Sequence, residues 1–437
     1  MSKSIKNQKN ILAKLNIAEL NPMQEEAQLA IHSNAEVVLL SPTGSGKTLA
    51  FMLPLIAGLD RNILEVQAMV IVPTRELAIQ IEQVTRDMGS GFKTNAVYGG
   101  QSFSKDKLNL AHPPAILIGT PGRLADHLRR QTFATENIRM LVLDEFDKSL
   151  EVGFEAEMSE IIALLPELRK KVLTSATMHA SIPAFVGLEQ PGVLNFLGEG
   201  ESQLTIKTIV SPAKDKLQTL VEALCHIGNE PGIVFCNYKE SIDRISSYLA
   251  EKKIAHGCFH GGMEQVDRER ALIKFRNGTH QLLLATDLAA RGIDVPEIRF
   301  IIHYQLPGRS HEFTHRNGRT ARMFSDGTAY ILKWAEESLP EFISDAEVEE
   351  LTEAPIPQTS QWATLMISGG RKDKISKGDL AGLFFKQGQL GKDHLGVIEL
   401  KQDCAFAAVH RSKVKQLIQL VDNSKLKNKK VRISIVD

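Results

Sequence analysis

Cysteine is sparse in this chain of 437 residues: Cys225, Cys236, Cys258 and Cys404 are its four, and no two form a C-x-x-C pair. That spacing excludes a zinc or disulfide framework and fits the reduced, buried thiols of a cytoplasmic protein. Long apolar runs are missing as well. The longest, Leu49 to Leu59, is too short to cross a bilayer, and the Lys-rich N-terminus lacks a signal-peptide core. No membrane partner is expected. Net charge is also absent, since 52 Lys and Arg balance 52 Asp and Glu.

The balance is uneven along the chain. From Pro355 onward 15 basic residues face 7 acidic ones, a net of +8, while residues 1–354 carry 37 against 45, a net of −8. A basic C-terminal segment on an acidic chain points to a polyanion as partner. With 43% hydrophobic residues the chain can bury full cores, and its length suits about three domains.

Short apolar strands alternate with helical stretches, the pattern of a parallel sheet covered by helices. A first block has strand candidates at 36–40, 68–72, 94–98, 115–119, 140–144 and 171–175. A second has them at 232–236, 255–259, 281–286, 299–304 and 327–333, after a Gly- and Ser-containing break near 197–205. Beyond the polar connection Pro355–Ser360, residues 363–436 spell β-α-β-β-α-β, an order used by many RNA-recognition domains. The fold class expected is α/β, with two similar domains at 1–200 and 201–345, a linker at 346–362 and a small α+β domain at 363–437.

Ser41-Pro42-Thr43-Gly44-Ser45-Gly46-Lys47-Thr48 follows the first strand. Its glycines let the backbone turn N–H groups onto phosphate oxygens before a helix starts at Lys47. Thr43, Gly44, Ser45 and Gly46 would make the cradle, Lys47 would reach the β- and γ-phosphates, and Thr48 would sit on Mg2+. Asp144-Glu145-Phe146-Asp147 ends a second apolar strand, 97 positions after Lys47. Asp144 is placed to hold that metal, and Glu145 to orient or deprotonate the attacking water. Arg319 and Arg322, three apart in the second block, would supply transition-state charge. These parts make a nucleoside triphosphatase.

Over roughly residues 15–333 the chain resembles a DEAD-box RNA helicase. The resemblance rests on the two motifs above together with Pro73–Ala78, Gly99-Gly100, Thr120-Pro121-Gly122-Arg123 and Ser175-Ala176-Thr177. It continues in Gln265-x-x-Arg268, Ala285-Thr286-Asp287, Ala290–Asp294 and His315–Arg322. It implies two tandem RecA-like domains with ATP and Mg2+ as cofactors. Gln24 would read adenine, Asp294 would join the ATP site, and Arg319 and Arg322 would act as arginine fingers. Ser175, Thr177 and His315 would couple the domains. Arg75, Gly99, Gly100, Thr120 and Arg123, with Gln265, Arg268 and Thr286, would contact RNA. Ser41, Phe146 and Ala321 depart from the family pattern. So does the missing aromatic upstream of Gln24, which leaves base selection to Gln24 with packing from Ile17 or Leu20. The Phe146 ring has to be accommodated by the Ser175–Thr177 segment.

Residues 363–437 resemble the RNA-binding domain of DbpA-type helicases, on Met366–Lys372, Lys377–Leu380 and Lys427–Ile433. The resemblance implies an RRM-like fold that tethers the motor to large-subunit ribosomal RNA. Only Phe406 lies on its third strand, so the sheet is a poor stacking platform. Arg371, Lys372, Lys374, Lys427, Lys429 and Lys430 are the expected phosphate contacts. The leading expectation is a monomeric ATP-dependent RNA helicase that opens short duplexes during ribosome assembly. A DNA motor and a silenced RNA clamp compete with it. The RNA-type motifs oppose the first, and the intact Lys47, Glu145, Arg319 and Arg322 oppose the second.

Overall fold

The computed structural model describes residues 8–42, 44–177, 182–197, 204–287, 298–320, 326–343 and 346–436. Thr43, Asp294, Ala321 and Arg322, all singled out above, lie outside the described residues. The chain divides between residues 201 and 202 into two compact units.

Seven strands of the first unit form one parallel sheet: β1 (Glu36–Leu40), β2 (Ala68–Ile71), β3 (Thr94–Val97), β4 (Ile116–Gly119), β5 (Met140–Leu143), β6 (Lys170–Ser175) and β7 (Gly192–Asn195). Their order is β3-β4-β2-β5-β6-β1-β7. Strand residues alternate between two apolar clusters, one on each face. Val37, Val70, Ile118 and Val142 serve one, and Val38, Met69, Leu117 and Leu141 the other. Burial on both faces is why β2 and β4 read as unbroken apolar runs.

The second unit holds another seven-stranded parallel sheet: β8 (Leu204–Ser211), β9 (Gly232–Cys236), β10 (Gly257–Phe259), β11 (Leu282–Thr286), β12 (Phe300–His303), β13 (Gly327–Trp334) and β14 (Glu347–Val348). The order is β10-β11-β9-β12-β13-β8-β14. β14 adds two residues of edge strand inside the stretch expected as linker.

A four-stranded antiparallel sheet follows, from β15 (Trp362–Ile367), β16 (Leu395–Leu400) and β17 (Ala405–His410). After a small hairpin of β18 (Lys425–Leu426) and β19 (Lys429–Lys430), β20 (Ile433–Ile435) completes the order β16-β17-β15-β20. Helices Lys377–Lys386 and Arg411–Val421 cover one face, where Leu365, Val409, Leu383 and Leu417 share a core. Ser376 starts the first of these helices with a capping box, its Oγ accepting from the Asp379 N–H at 3.1 Å. The expected class thus holds: two parallel sheets as in RecA-like domains, then a small α+β module. Among the described residues no helix is long and apolar enough to cross a membrane.

Gly119 ends β4 against β3, and a Cβ there would lie 2.6 Å from the Val97 carbonyl oxygen and 2.8 Å from Leu124 Cγ. A backbone carbonyl cannot swing aside as a side-chain tip does. Gly119→Ala should therefore destabilise the first unit by ~1–3 kcal/mol. Calorimetry of the full chain should show its transition several degrees lower. An unchanged melting profile would mean that the strand ends part freely.

Candidate functional site

The order β5-β6-β1 brings three loops side by side at the C-terminal ends of the strands, where open parallel sheets take ligands. Ser41 and Pro42 leave β1, Asp144 follows β5, and Ser175 closes β6 opposite Leu40. Gly44 and Gly46 adopt φ of +83° and +90°, so the loop can reverse before helix Lys47–Gly58 begins. Thr48 lies in the first turn of that helix. At Gly46 a Cβ would come within 2.3 Å of the Gln24 amide nitrogen, so glycine is required twice over.

Gln24 braces this loop. Its Nε2 donates to the Gly46 carbonyl at 3.2 Å, and Asn21 Nδ2 donates to the Ser45 carbonyl at 3.1 Å. The two side chains are locked by a reciprocal capping box, Gln24 N–H to Asn21 Oδ1 at 2.9 Å and Asn21 N–H to Gln24 Oε1 at 3.1 Å. Asn21 was not among the expected residues. Its signal is the Asn-Pro-x-Gln spacing of a helix start. Leu20 and Ile17 pack into the core cluster under the sheet. Ser41, the departure from the family pattern, donates its hydroxyl to Ser45 Oγ at 2.6 Å. The buried Lys47 ammonium donates to the carbonyls of Ser41 and Pro42 at 2.6 and 2.7 Å.

Asp144 is 3% exposed, with the Thr174 hydroxyl donating to its Oδ1. Glu145 takes the left-handed backbone, φ +47°, and its N–H reaches both Asp144 Oδ1 and Thr174 Oγ1. Strain of this kind persists only where the surroundings enforce it. Burial, then the Glu145 charge alongside, pushes the Asp144 pKa up to about 6, against the pull of Thr174 and Lys47. Glu145 Oε2 is buried without a hydrogen-bond partner. Two crowded carboxyls with an orphaned oxygen fit a divalent cation. Among the described residues no group of three or more His, Cys, Asp or Glu is set to hold one, so a bound ion would take its remaining ligands elsewhere.

Ser175 Oγ accepts from the Thr177 N–H at 3.1 Å, and the Thr177 hydroxyl donates to the buried Asp147 at 3.0 Å. The β6 loop is thereby tied to the acidic tetrad. Phe146 is taken up by the apolar cluster of Leu143, Met158 and Val186, with the Phe185 ring 6.5 Å away. That cluster, and not the Ser175–Thr177 loop as expected, is what houses its ring.

The order β3-β4-β2 gathers the expected RNA residues of the first unit at the same end of the same sheet. Arg75 opens helix Arg75–Asp87 and lies against the glycine pair, so a Cβ at Gly100 would fall 2.6 Å from its Nη1 and one at Gly99 3.3 Å from its Nη2. Thr120 precedes helix Pro121–Arg129 but makes no capping bond. Arg123 is held by the buried Asp106, Nε at 2.9 Å and Nη2 at 2.7 Å, and stands over the Phe103 ring. Asp106 was also missed, because only the fold reveals its partner.

In the second unit Gln265 begins helix Gln265–Arg276, Arg268 stands 5.2 Å over the Phe259 ring, and Thr286 ends β11. His315 and Arg319 are 7% and 6% exposed, at the end of helix Ser310–Asn317. Between them Arg316 is the side chain the sequence reading passed over. It donates to Asp287 Oδ1 at 2.6 Å, the Gln305 carbonyl at 2.7 Å and Asn237 Oδ1 at 2.8 Å, pinning the ends of β11, β12 and β9.

In the C-terminal module Arg371 and Lys372 lie in one short helical turn, and Lys372 pairs with Asp403 at 2.5 Å. Lys429 pairs with Asp373 at 2.8 Å, Lys427 with Asp379 at 2.9 Å, and Lys430 is exposed beside them. Exposed pairs of this type contribute little and exchange readily for phosphate. Phe406 is 6% exposed, covered by Ile273 and Val436, so it offers no stacking surface.

The raised Asp144 pKa has a definite sign for stability. The folded chain holds this proton more tightly than the unfolded one, so ionisation costs stability above pH 6, and the cost fades as pH falls toward 4. Asp144→Asn should therefore stabilise the nucleotide-free protein at about pH 8 by up to about 3 kcal/mol, seen as a higher melting temperature. The gain should vanish near pH 4. Equal melting of the two proteins across that range would contradict a buried, ionised Asp144.

The chain matches the DEAD/DEAH box helicase family over residues 21–185, the Helicase conserved C-terminal domain over 215–324 and the DbpA RNA binding domain over 364–435. It is 32% identical to the ATP-dependent RNA helicase DbpA of Escherichia coli (strain K12), over 97% of this chain and 96% of that protein. Identity to the ATP-dependent RNA helicase DbpA of Bacillus subtilis (strain 168) is 29%, over 96% and 95%. Among solved structures, the DEAD-box helicase Mss116 bound to ssRNA and UDP-BeF matches with a TM-score of 0.68 at 26% identity, covering 75% of this chain and 72% of that one. Sheet order, loop chemistry and these likenesses agree: the chain belongs to the DEAD-box ATP-dependent RNA helicases of DbpA type.

Proposed function

We propose that ATP hydrolysis at the β5-β6-β1 end drives local unwinding of RNA held at the β3-β4-β2 end, on large-subunit ribosomal RNA or pre-ribosomal particles. The supporting observation is the adjacency of the two loop sets on one sheet edge. Thr43, Gly44, Ser45 and Gly46 would cradle the phosphates, and Lys47 would leave its two carbonyl partners for phosphate oxygens. Thr48 and Asp144 would hold Mg2+, which supplies the charge that neutralises the phosphates. Glu145, with one buried oxygen unclaimed, would take the water proton. Arg319 and Arg322 would act from the second unit, with Asp294 at the nucleotide and His315, Ser175 and Thr177 relaying its state. Gln24 would read adenine while bracing Gly46.

In this reading RNA lies along Arg75, Gly99, Gly100, Thr120 and Arg123 and on to Gln265, Arg268 and Thr286. These contacts position the strand and carry little sequence information. Choice of RNA would fall to the basic module, through Arg371, Lys372, Lys427, Lys429 and Lys430. The chain would act as a monomer in the cytoplasm. Domain limits at 1–200, 201–345 and 363–437, with 346–362 between, remain the proposed cuts.

Glu145→Gln should keep nucleotide affinity and lose RNA-stimulated hydrolysis by at least ~100-fold. Lys47→Ala should weaken binding itself. Equilibrium nucleotide binding and phosphate release measured on the same proteins separate the two, and a wild-type rate for Glu145→Gln would remove it from the chemistry.

Charge reversal at Lys427, Lys429 and Lys430 in the full chain tests targeting. Affinity for a ribosomal hairpin should fall, with the salt slope shallower by ~0.7–0.9 per lost phosphate contact. Stimulation by an unrelated RNA should persist. Unchanged hairpin affinity and slope would assign this module another partner.

A further inference from the structure

The second parallel sheet repeats the first strand for strand, since β10-β11-β9-β12-β13-β8-β14 is β3-β4-β2-β5-β6-β1-β7 displaced by one set of seven. The ends of β8, β13 and β12 therefore correspond to those of β1, β6 and β5, where the proposed nucleotide site lies. Register agrees, with Ser211 opposite Trp334 as Leu40 is opposite Ser175. In both sheets a lysine stands where the helix after the first strand begins, Lys47 heading Lys47–Gly58 and Lys216 capping Leu217–Ile227. Outside these strand ends of the second sheet is an open cavity of about 550 Å³, lined from all three and from the end of β9. That size falls in the roughly 300–1,000 Å³ range of small-molecule sites. None of its lining residues belongs to the proposed ATP or RNA contacts.

Its walls are aromatic and basic. Trp334 ends β13 and Tyr304 follows β12, with Lys214 Nζ 5.9 Å from the indole centroid and Lys216 Nζ 5.5 Å from the phenol centroid. Lys216, 8% exposed, donates to the Leu332 carbonyl at 2.8 Å and to Glu337 at 3.1 Å. Arg244, on helix Lys239–Glu251, pairs with Asp215 at 2.7 Å. Three cations thus face two carboxylates around the cavity. Burial, then the Asp215 charge, pushes the Tyr304 pKa up to about 12, so its hydroxyl stays a donor. Burial lowers the Lys216 pKa against the pull of Glu337, a penalty that an anion alongside would relieve.

The parts proposed for hydrolysis in the first unit are missing here. Tyr304 and Gln305 follow β12 as Asp144 and Glu145 follow β5, so this strand end supplies neither metal ligand nor base. Residues 211–216, Ser-Pro-Ala-Lys-Asp-Lys, hold no glycine and none takes a positive φ, so they form no N–H cradle for three phosphates. We propose that this cavity is a second, non-hydrolytic nucleotide site, which takes a nucleoside mono- or diphosphate without Mg2+. The base stacks on Trp334. The phosphate lies among Lys214, Lys216 and Arg244, and the exposed Arg244–Asp215 pair exchanges for it readily. The proposed site of the first unit is the pattern for this one, but binding here is read without it.

The test uses the full chain carrying Trp362→Phe, which leaves Trp334 as the only indole, in buffer with EDTA in place of Mg2+. ADP should quench Trp334 emission saturably, and adenosine or inorganic phosphate alone should need at least tenfold higher concentrations. Lys214 and Arg244 are exposed, so Lys214→Glu and Arg244→Glu spare the core. Each should weaken ADP at least tenfold. Lys47→Ala should leave the quenching as it is, because the first site takes no part. In equilibrium dialysis the Lys47→Ala chain should still retain ADP, and adding Arg244→Glu should release it. Quenching that Lys47→Ala abolishes overturns the proposal, since the signal would come from the first site. So does quenching that neither charge reversal weakens, or a Lys47→Ala chain that neither quenches nor retains ADP. A first site that fails to hydrolyse ATP would sink the functional reading and leave this readout standing.

Discussion

β6 pairs in parallel with β1 on one side and β5 on the other, and the proposed nucleotide site depends on that insertion. The ladder sets Leu40 opposite Ser175 and Leu143 opposite Leu173. Three loops distant in sequence therefore emerge at one level. The phosphate loop, the acidic tetrad and the Ser175–Thr177 turn need no further scaffolding to meet. The cost appears where the strands end, in a left-handed Glu145, a buried and crowded carboxyl pair and a lysine folded onto its own loop. The first two are unfavourable for folding, and all three suit a nucleoside triphosphate and its cation.

The same sheet joins this site to the proposed RNA contacts. β2 pairs with β5, so Ile71 lies opposite Leu143, and the Asp144 N–H donates to the Ile71 carbonyl at 2.9 Å. Two residues beyond Ile71 begins Pro73–Ala78, with Arg75 resting on Gly99 and Gly100. The strand that ends at the proposed metal ligand and the strand that leads to the proposed RNA contacts are thus hydrogen-bonded neighbours. The second unit repeats the device with Arg316, which ties three strand ends into one assembly.

Much of this was legible in the sequence because buried parallel strands must be apolar on both faces. β1, β2, β4, β5 and β9 announce themselves in that way. β8 does not, because its alternation of Thr205 and Lys207 with apolar residues reads as a break, and β7, β14 and the β18–β19 hairpin are too short to leave a pattern. Residues within fixed-spacing motifs could be singled out as candidates. Those missed, such as Thr174, Asp106 and Arg316, act through partners that only the fold supplies. The scarcity of aromatics on the C-terminal sheet was readable, yet its physical reason was not: that face is occupied by a helix of the preceding domain.

In this arrangement the proposed nucleotide and RNA sites, at one end of one sheet, are expected to be energetically linked. The direct measurement is the affinity of the full chain for a single-stranded RNA with a non-hydrolysable ATP analogue and with ADP. Linked edges predict RNA binding ~5–150-fold tighter with the analogue, and the analogue tightened by RNA to the same factor. Equal RNA affinity in both nucleotide states would contradict the linkage.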